Sequence, residues 1–286
     1  MKAHRLMYPI KTMARVLGVA RSGYYAWIAK PRSKRQVRDE ELKIRICAIH
    51  QKSRKTYGPI RIQRDLAADG VVAGRDHIGR LRKEMNIRCV QKRKFKATTD
   101  SNHDLPIVPN LLKQQFDITV PGKVWGTDLT YIPTDEGWLY LAGVKDFGSR
   151  EIVGYEMGSR MTKELVRGAL AMALKTRTPL PDCIHHSDRG SQYCSHEYRD
   201  DIEKAGLRAS MSRKGNCYDN APTESFWGCL KQELVYQRRF ATRAQAKAAI
   251  QEYIVIFYNR MRRHSAIGYM APSVYAETYY QKRKSA

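Results

Sequence analysis

Hydrophobic residues in the first third of the chain recur at the spacing of short amphipathic helices. Residues 10–30 are predicted to form a helix, a tight turn at Gly18 and a second helix that Pro31 ends, because glycine adopts the positive φ of such turns and proline cannot continue a helix. The side chains expected to pack the two helices together are Met13, Ala14, Leu17, Val19, Tyr24 and Trp27. This pattern is typical of a helix-turn-helix.

In a helix-turn-helix, the start of the second helix meets the edges of DNA bases. The candidate DNA-binding residues of this segment are therefore Arg21, Ser22 and Tyr25. Plain packing of a short helical hairpin is the alternative interpretation of the same pattern, since such a hairpin also needs a small residue and a glycine.

A second set of three helices is predicted within residues 37–96. The first, over 40–53, has apolar residues three and four apart. Pro59 would open the second and Gly70 would end it, and Asp76 would cap the third. The apolar residues expected inside this set are Leu42, Ile46, Ile49, Ile62, Leu66, Ile78, Leu81 and Met85.

Basic residues cover the predicted outer faces of these helices and continue into the run 92–96. A basic run with one aromatic residue suits phosphate contact, although a solvated charged edge has the same composition. The outer faces would carry Arg61, Arg64, Arg75, Arg80, Arg82 and Lys83. The candidate DNA-binding residues of this region are Arg61, Arg64, Lys92, Arg93 and Lys94.

From about residue 118 the pattern changes to strands alternating with helices. Stretches rich in β-branched and aromatic residues at 124–133, 137–147 and 150–157 predict an antiparallel meander. They are followed by a helix over 162–175, a strand over 183–187, a helix over 196–205, a strand over 207–212 and a long helix from 220 to about 236. This order predicts an α/β fold with a ribonuclease-H-like core, a mixed five-stranded sheet with helices, preceded by all-α helix-turn-helix segments.

The net charge of the chain also changes between the helical front and the strand-and-helix region. The 286 residues include 52 Lys+Arg and 28 Asp+Glu, a net charge of +24, with +18 on residues 1–100, −2 on 101–230 and +8 on 231–286. Solubility alone would not sort the signs by segment, whereas a nucleic acid partner would. We expect a helix-turn-helix segment (1–36), a second helical domain (37–96), a linker (97–117), a catalytic core (118–236) and a basic helical C-terminal region (237–286).

Two sequence features concern the cellular compartment. The chain has no run of 18 apolar residues and no apolar segment after its basic start, so neither a membrane span nor a secretory signal is expected. Its six cysteines form no C-x-x-C pair, which favours reduced thiols over disulfides or a zinc site. A cytoplasmic protein is expected.

Three acidic residues fall where the predicted fold would bring them together. Asp128 lies within the first strand, Asp188 ends a strand that a crossover helix would place parallel to the first, and Glu224 lies near the start of the long helix. Such carboxylates repel one another unless a cation is present. Their oxygens suit Mg²⁺ or Mn²⁺, and two ions roughly 3.5–4 Å apart can promote attack on a phosphodiester. The alternative is that these acids are unrelated surface residues.

Residues near the three acids offer other assignments. Asp219 lies five residues before Glu224, and we interpret it as the cap of the long helix rather than as a ligand. His186, just before Asp188, is a candidate for orienting the site. Lys231 follows Glu224 by seven residues, two turns later on the same helix face, where it could meet a phosphate.

Several longer stretches carry a recognisable pattern: WGTDLTY at 125–131, HSDRGSQY at 186–193, NAPTESF at 220–226, Thr56-Tyr57-Gly58 with Arg61, and the stretch from Tyr258-Asn259 through Arg262 and His264 to Pro272. In these motifs the chain resembles the DDE transposases encoded by the second reading frame of bacterial insertion sequences, which are relatives of retroviral integrases. The resemblance covers nearly the whole chain with the order and spacing kept. The chain departs from it at Pro59, where relatives often have an aromatic residue.

The resemblance implies that Asp128, Asp188 and Glu224 are the catalytic, metal-binding triad, with two Mg²⁺ or Mn²⁺ ions, and that Lys231 is the basic residue that follows it. Arg262 and His264 lie in the matching basic stretch and are further candidate DNA-binding residues. The implied reaction is hydrolysis that frees a 3′-hydroxyl, followed by transesterification onto another phosphodiester.

The implied partners are the terminal inverted repeats of an element, target DNA, further copies of the chain, and a companion protein from the upstream reading frame. No membrane partner is implied, and the bacterial nucleoid is the expected location. Two rival functions remain at this point: a catalytically inactive, sequence-specific DNA-binding regulator, which would bind DNA without cutting it, and a structure-selective nuclease, which would cut strands without joining them.

Overall fold

The computed structural model describes residues 1–30, 32–90, 108–213 and 217–284. Its first five helices belong to the basic front of the chain. They are α1 (Ile10–Val16), α2 (Arg21–Ala29), α3 (Lys34–Lys52), α4 (Pro59–Ala68) and α5 (Arg75–Glu84).

The N-terminal hairpin of α1 and α2 has the predicted turn but not the predicted packing. Gly18 has a φ of 63°, as expected for the tight turn. Ala14 and Tyr24 are buried between the helices, whereas Leu17, Val19 and Trp27 are 58%, 48% and 61% exposed. The packing predicted for these three residues is therefore wrong. Helices of seven and nine residues share only a small contact area, and the side chains of Ala14 and Tyr24 fill it.

Helices α3, α4 and α5 enclose a small core of their own, which includes Ile46, Ile62, Leu66, Ile78 and Leu81 as predicted. Helix α3 begins six residues earlier than expected, because Ser33 and Gln36 form a capping box at its N-terminus. Two predictions are corrected. Gly74, not Asp76, is the N-cap of α5. Arg82 is buried rather than on an outer face, and its guanidinium donates to the Cys89 sulfur at 3.1 Å.

The central sheet has the five predicted strands, with the fourth beside the first as expected. Strands β1 (Val124–Thr134), β2 (Gly137–Asp146) and β3 (Ile152–Gly158) form the antiparallel meander, and β4 (Ile184–Ser187) and β5 (Arg208–Met211) pair in parallel on the other side of β1. The resulting order is β3-β2-β1-β4-β5. The prediction of a mixed, ribonuclease-H-like sheet is confirmed.

Helices cover both faces of this sheet. Helices α6 (Lys163–Thr176) and α7 (His196–Lys204) pack on one face over a core that includes Trp125, Val144 and Leu170. Helix α8 (Ala221–Glu233) packs on the other face through Phe226, Trp227 and Leu230. The long helix ends earlier than predicted, because the backbone leaves the helical region at Leu234 before a 3₁₀ turn over Val235–Gln237.

The C-terminal region joins the helical front to the central sheet. It consists of α9 (Arg243–Glu252), a π-helical continuation over Tyr253–Tyr258, and α10 (Pro272–Lys284). The Tyr57 hydroxyl accepts from the Arg263 backbone N–H at 2.7 Å and donates to the Met261 carbonyl at 3.1 Å. Asp65 and Arg263 form an ion pair across the same junction. Among the described helices, none has the length and apolar character needed to span a bilayer.

Candidate active site

The parallel pairing of β1 and β4 places Asp128 beside Asp188. The last residue pair between the two strands is Gly126 with His186. Each aspartate follows its member of that pair by two residues, Asp128 within β1 and Asp188 directly after the end of β4, so the two residues lie at nearly the same level. Adjacent strands lie roughly 5 Å apart, which brings the two carboxyl groups into one site.

Helix α8 brings Glu224 to the same place. Glu224 lies in the first turn of α8, whose start is pressed closely onto β1 and β2. A Cβ at Gly126 would lie 2.7 Å from the Thr223 hydroxyl, and a Cβ at Gly143 would lie 2.7 Å from the Trp227 ring. The two glycines therefore allow an approach of the helix to the sheet that a side chain would prevent.

Both aspartates are held by hydrogen bonds from rigid groups. Asp128 accepts from the Leu129 backbone N–H at 2.8 Å and from the Trp227 indole N–H at 3.0 Å. Asp188 accepts from the Gly190 backbone N–H at 2.9 Å. These donors come from the main chain and from a buried ring, so they fix the direction in which each carboxylate points.

The three carboxylates interact with one another electrostatically. Burial, together with the negative charges of Asp188 and Glu224, raises the pKa of Asp128 well above its usual value. Partial burial and the charge of Asp188 also raise the pKa of Glu224. The two shifts have the same origin, because each carboxylate loses part of its contact with water and lies near others of the same charge. A cation would relieve this repulsion.

The chemistry of these donors fits a hard divalent cation. Carboxylate oxygens are the preferred ligands of Mg²⁺ and Mn²⁺. Within the ranges that the structure covers, no three His, Cys, Asp or Glu side chains are already arranged to hold a metal ion. The three acids would therefore have to draw closer together to share one, and Glu224 among them is exposed.

Two lysines border the site. The Lys231 ammonium lies 4.9 Å above the ring of Tyr131; burial lowers its pKa, and the charge of Asp128 opposes that shift. Lys145 is buried in β2, and burial lowers its pKa to about 7. Its ammonium donates to the Pro222 carbonyl at 2.7 Å, in the first turn of α8. Lys145 thus helps to hold the turn that carries Glu224.

Asp219 and His186 have structural roles. The N-cap of α8 is Asn220, so the prediction that Asp219 caps this helix is wrong. Asp219 instead forms an ion pair with Arg213 and accepts from the Asn110 and Gln114 amides, which ties the segment before β1 to the site. His186 shares hydrogen bonds with two serine hydroxyls of β5 and its border, Ser210 and Ser212.

The candidate DNA-binding residues of the hairpin lie at an accessible place. Arg21 and Ser22 are the first two residues of α2, and both are exposed. Tyr25 lies one turn later and is 56% exposed. All three therefore occupy the end of the second helix that a helix-turn-helix presents to DNA.

The remaining candidates of the basic regions differ in accessibility. Arg64 is exposed, with its guanidinium 5.1 Å above the ring of Tyr269. Arg61 is half-buried over Tyr57 at 5.5 Å. Arg262 is buried and paired with Glu233 at 2.8 Å, so its guanidinium is occupied inside the protein, which argues against DNA contact. Lys92, Arg93 and Lys94 lie outside the described residues.

His264 lies at the edge of the same basic region. It is half-buried, and its Nδ1 accepts from the Ala266 backbone N–H at 3.3 Å. Burial, with the nearby charges of Lys145 and Arg262 among others, lowers its pKa to about 3. His264 is therefore neutral in the protein and caps a turn of the chain.

Sequence reasoning missed two residues that shape the site. Trp227 follows Glu224 by three residues, so it was bound to share a helix face with a proposed ligand. Lys145 follows the apolar stretch 138–144 of β2, and a cation that is buried in a strand needs a partner. Both signals were present in the sequence. Their partners, Asp128 and the Pro222 carbonyl, depend on how α8 crosses the sheet.

Comparison with known proteins gives the chain a family. It matches the integrase core domain family over residues 119–217, a second integrase core domain family over 205–272 and the HTH-like domain family over 37–95. It is 56% identical over 269 residues to the insertion element IS600 uncharacterized 31 kDa protein of Shigella sonnei, covering 94% of this chain and 99% of that protein. It is 40% identical over 271 residues to the transposase InsF for insertion sequence IS3A of Escherichia coli strain K12, covering 94% of each.

Solved structures of integrases show a more distant likeness. The catalytic core domain of bovine immunodeficiency virus (BIV) integrase is 17% identical, with a TM-score of 0.42, and covers 57% of this chain and 99% of its own. The HTLV-2 integrase catalytic core domain solved in complex with magnesium is 14% identical, with a TM-score of 0.39, and covers 51% of this chain and 92% of its own.

The integrase core and the ribonuclease-H-like sheet define a polynucleotidyl transferase, and the HTH-like domain makes DNA its partner. More particularly, the chain belongs to the family of integrase-core transposases encoded by bacterial insertion sequences such as IS3. The family resemblance seen in the sequence motifs is therefore confirmed.

Proposed function

We propose that this transposase cuts a DNA strand at each end of its element by hydrolysis and then joins the freed 3′-hydroxyl to a second phosphodiester. Asp128, Asp188 and Glu224 would hold the divalent metal, two Mg²⁺ or Mn²⁺ ions per site. Bound there, the metal would activate the attacking oxygen and stabilise the leaving oxygen. The observation that carries this proposal is the placement of the three acids: Asp128 and Asp188 each lie two residues beyond the paired residues Gly126 and His186, and Glu224 lies in the first turn of α8.

The protein's own residues would position the DNA for both steps. The hydrogen bonds from Leu129, Trp227 and Gly190 aim the two aspartates, so little reorganisation is needed when the phosphate arrives. Lys231, whose ammonium lies over the ring of Tyr131 on β1, would contact a phosphate oxygen beside the scissile bond. Positioning supplies much of the rate in phosphoryl transfer of this kind.

We further propose how the transposase engages its DNA. The exposed start of α2, with Arg21, Ser22 and Tyr25, and the α4 surface with Arg64 would hold the terminal inverted repeats, and Arg61 would support that surface. Joining two ends requires at least two copies of the chain on DNA. A companion protein from the upstream frame would complete this assembly at the nucleoid, and the exposed apolar side chains of α1 and α2 are available to it.

A strand-transfer assay with labelled linear ends tests this proposal. Asp188→Ala should abolish cutting and joining in Mg²⁺ while DNA affinity stays within a few-fold, because the basic surfaces are untouched. Asp200→Ala, at an exposed acid on α7, is the matched control and should keep full activity. Joining that survives in Asp188→Ala would reject the triad. Wild-type protein that binds DNA without cutting would favour the regulator, and cutting without joining would favour the nuclease.

A further inference from the structure

An aromatic pair, with one ring exposed and the other half-buried, lies beside Lys231. Trp138 is the second residue of β2 and is 49% exposed. Its ring meets that of Tyr131 edge to face, with centroids 4.9 Å apart. Neither residue belongs to the two hydrophobic cores described for the faces of the sheet. Because apolar surface in water is unfavourable, an indole left outside both cores gains free energy when a ligand covers it.

Lys231 connects the pair to the proposed active site. Tyr131 is three residues after Asp128 on β1, about 10 Å along the strand, so the two side chains leave the sheet on opposite faces. The ammonium of Lys231, on the helix that also carries Glu224, lies 4.9 Å above the Tyr131 ring. A cation and two rings are therefore in contact with one another beside β1.

The surroundings of the pair carry more positive charge. Arg243 donates to the Trp138 carbonyl at 3.0 Å, and its backbone N–H donates to the Glu136 carboxylate. Arg239 pairs with Asp135 at the tip of the β1–β2 hairpin and is 85% exposed. The two hairpin acids are thus engaged by the protein itself, and Lys231 adds a further positive charge on the side of the active site.

We propose that Trp138 and Tyr131 form a stacking platform for an unpaired base of the DNA strand that is cut, with Lys231 contacting the adjoining phosphate. Exposed aromatic rings among cations are how proteins hold single-stranded nucleic acid, since every base offers a π-face whereas bases inside a duplex are already stacked. The ligand is therefore a strand end whose last base pairs are open. This inference rests on the proposed function, which identifies the bound strand as the one that is cut. The predicted binding itself does not require the strand to be cut or joined.

Binding measurements on two DNAs in EDTA, where no strand is cut, test the platform. One is a duplex with three mismatched terminal pairs, and the other is the same duplex fully paired. The wild-type chain should bind the mismatched DNA about tenfold more tightly, the effect expected of one stacked base. Trp138→Ala should remove this preference, and Trp138→Phe should keep most of it because a phenyl ring still stacks.

Two further readouts distinguish base stacking from a general change in DNA binding or assembly. A 2-aminopurine base at the open end should be quenched on binding the wild type and not on binding Trp138→Ala. Tyr25→Ala, which removes an exposed ring of α2, should weaken binding to both DNAs equally. The platform would be refuted if Trp138→Ala keeps the preference for the mismatched DNA, lowers the affinity for both DNAs equally or changes only the oligomeric state. These binding results do not depend on strand transfer. If the wild-type protein prefers the mismatched DNA but transfers no strand, the proposed function is refuted and the platform is not.

Discussion

Two tryptophans on short helices of this protein have opposite environments. Trp227 on α8 is 6% exposed, lies over Gly143 and donates to Asp128. Trp27 on α2 is 61% exposed and touches only its neighbour Tyr24, at 6.4 Å between ring centroids, among the ring contacts described. The difference lies in what surrounds the helix rather than in the helix itself. A five-stranded sheet encloses α8, whereas α1 is the main neighbour that α2 has.

The comparison separates two kinds of functional surface. Around α8, packing determines where Asp128 points, because the buried Trp227 donates to its carboxylate. On the hairpin, apolar and basic side chains remain in water, which suits a surface that gains its order from a partner. Substitutions in the two regions should therefore differ in how strongly they affect folding, strand transfer and DNA binding.

The largest effect is expected for the buried ion pair between Glu233 and Arg262. Both side chains are 6% exposed, so Glu233→Gln would leave a buried guanidinium without its counter-charge. We expect a loss of about 3–5 kcal/mol in the free energy of unfolding, measured by urea denaturation. Asp135→Asn is the control, because its partner Arg239 is 85% exposed, and a loss below about 1 kcal/mol is expected there. Equal losses of unfolding free energy in the two variants would show that burial of the ion pair does not determine its contribution to stability.

Two leucine truncations compare the helical regions directly. Leu66 is fully buried between α3, α4 and α5, whereas Leu17 is 58% exposed. Leu66→Ala should cost about 2–5 kcal/mol of unfolding free energy, and Leu17→Ala should stay within about 0.5 kcal/mol. A large cost for Leu17→Ala in the isolated chain would mean that the hairpin packs as the sequence predicted.

The same contrast explains what the sequence could and could not predict. The levels of Asp128 and Asp188 follow from strand order, because a right-handed crossover places the two strands in parallel. The exposure of Leu17 does not follow, since helical spacing reports which residues share a face and not whether anything covers that face. The Trp227–Asp128 hydrogen bond depends on Gly143 in a third element, so periodicity along α8 could not supply it.

A smaller effect is expected at the hydrogen bond from Trp227 to Asp128. Trp227→Phe keeps a ring over Gly143 and removes only the indole N–H. Losing a donor to a carboxylate that must point at the reaction should slow strand transfer about tenfold, a cost of about 1.4 kcal/mol. DNA affinity should not change. A rate within twofold of the wild type would show that the Leu129 N–H alone aligns Asp128.

The smallest effect concerns a single phosphate contact on the hairpin. Arg21→Ala should weaken DNA binding only a few-fold near physiological salt, but it should reduce the slope of log K against log salt by about 0.9, the value for one phosphate. Lys175→Ala, at an exposed position on α6 behind the sheet, provides the matched loss of one charge and should leave the slope unchanged. If both variants reduce the slope equally, binding follows overall charge rather than the helix-turn-helix. If Arg21→Ala leaves the slope unchanged, the DNA surface lies on another element, and the exposed apolar residues around Arg21 then belong to a protein partner.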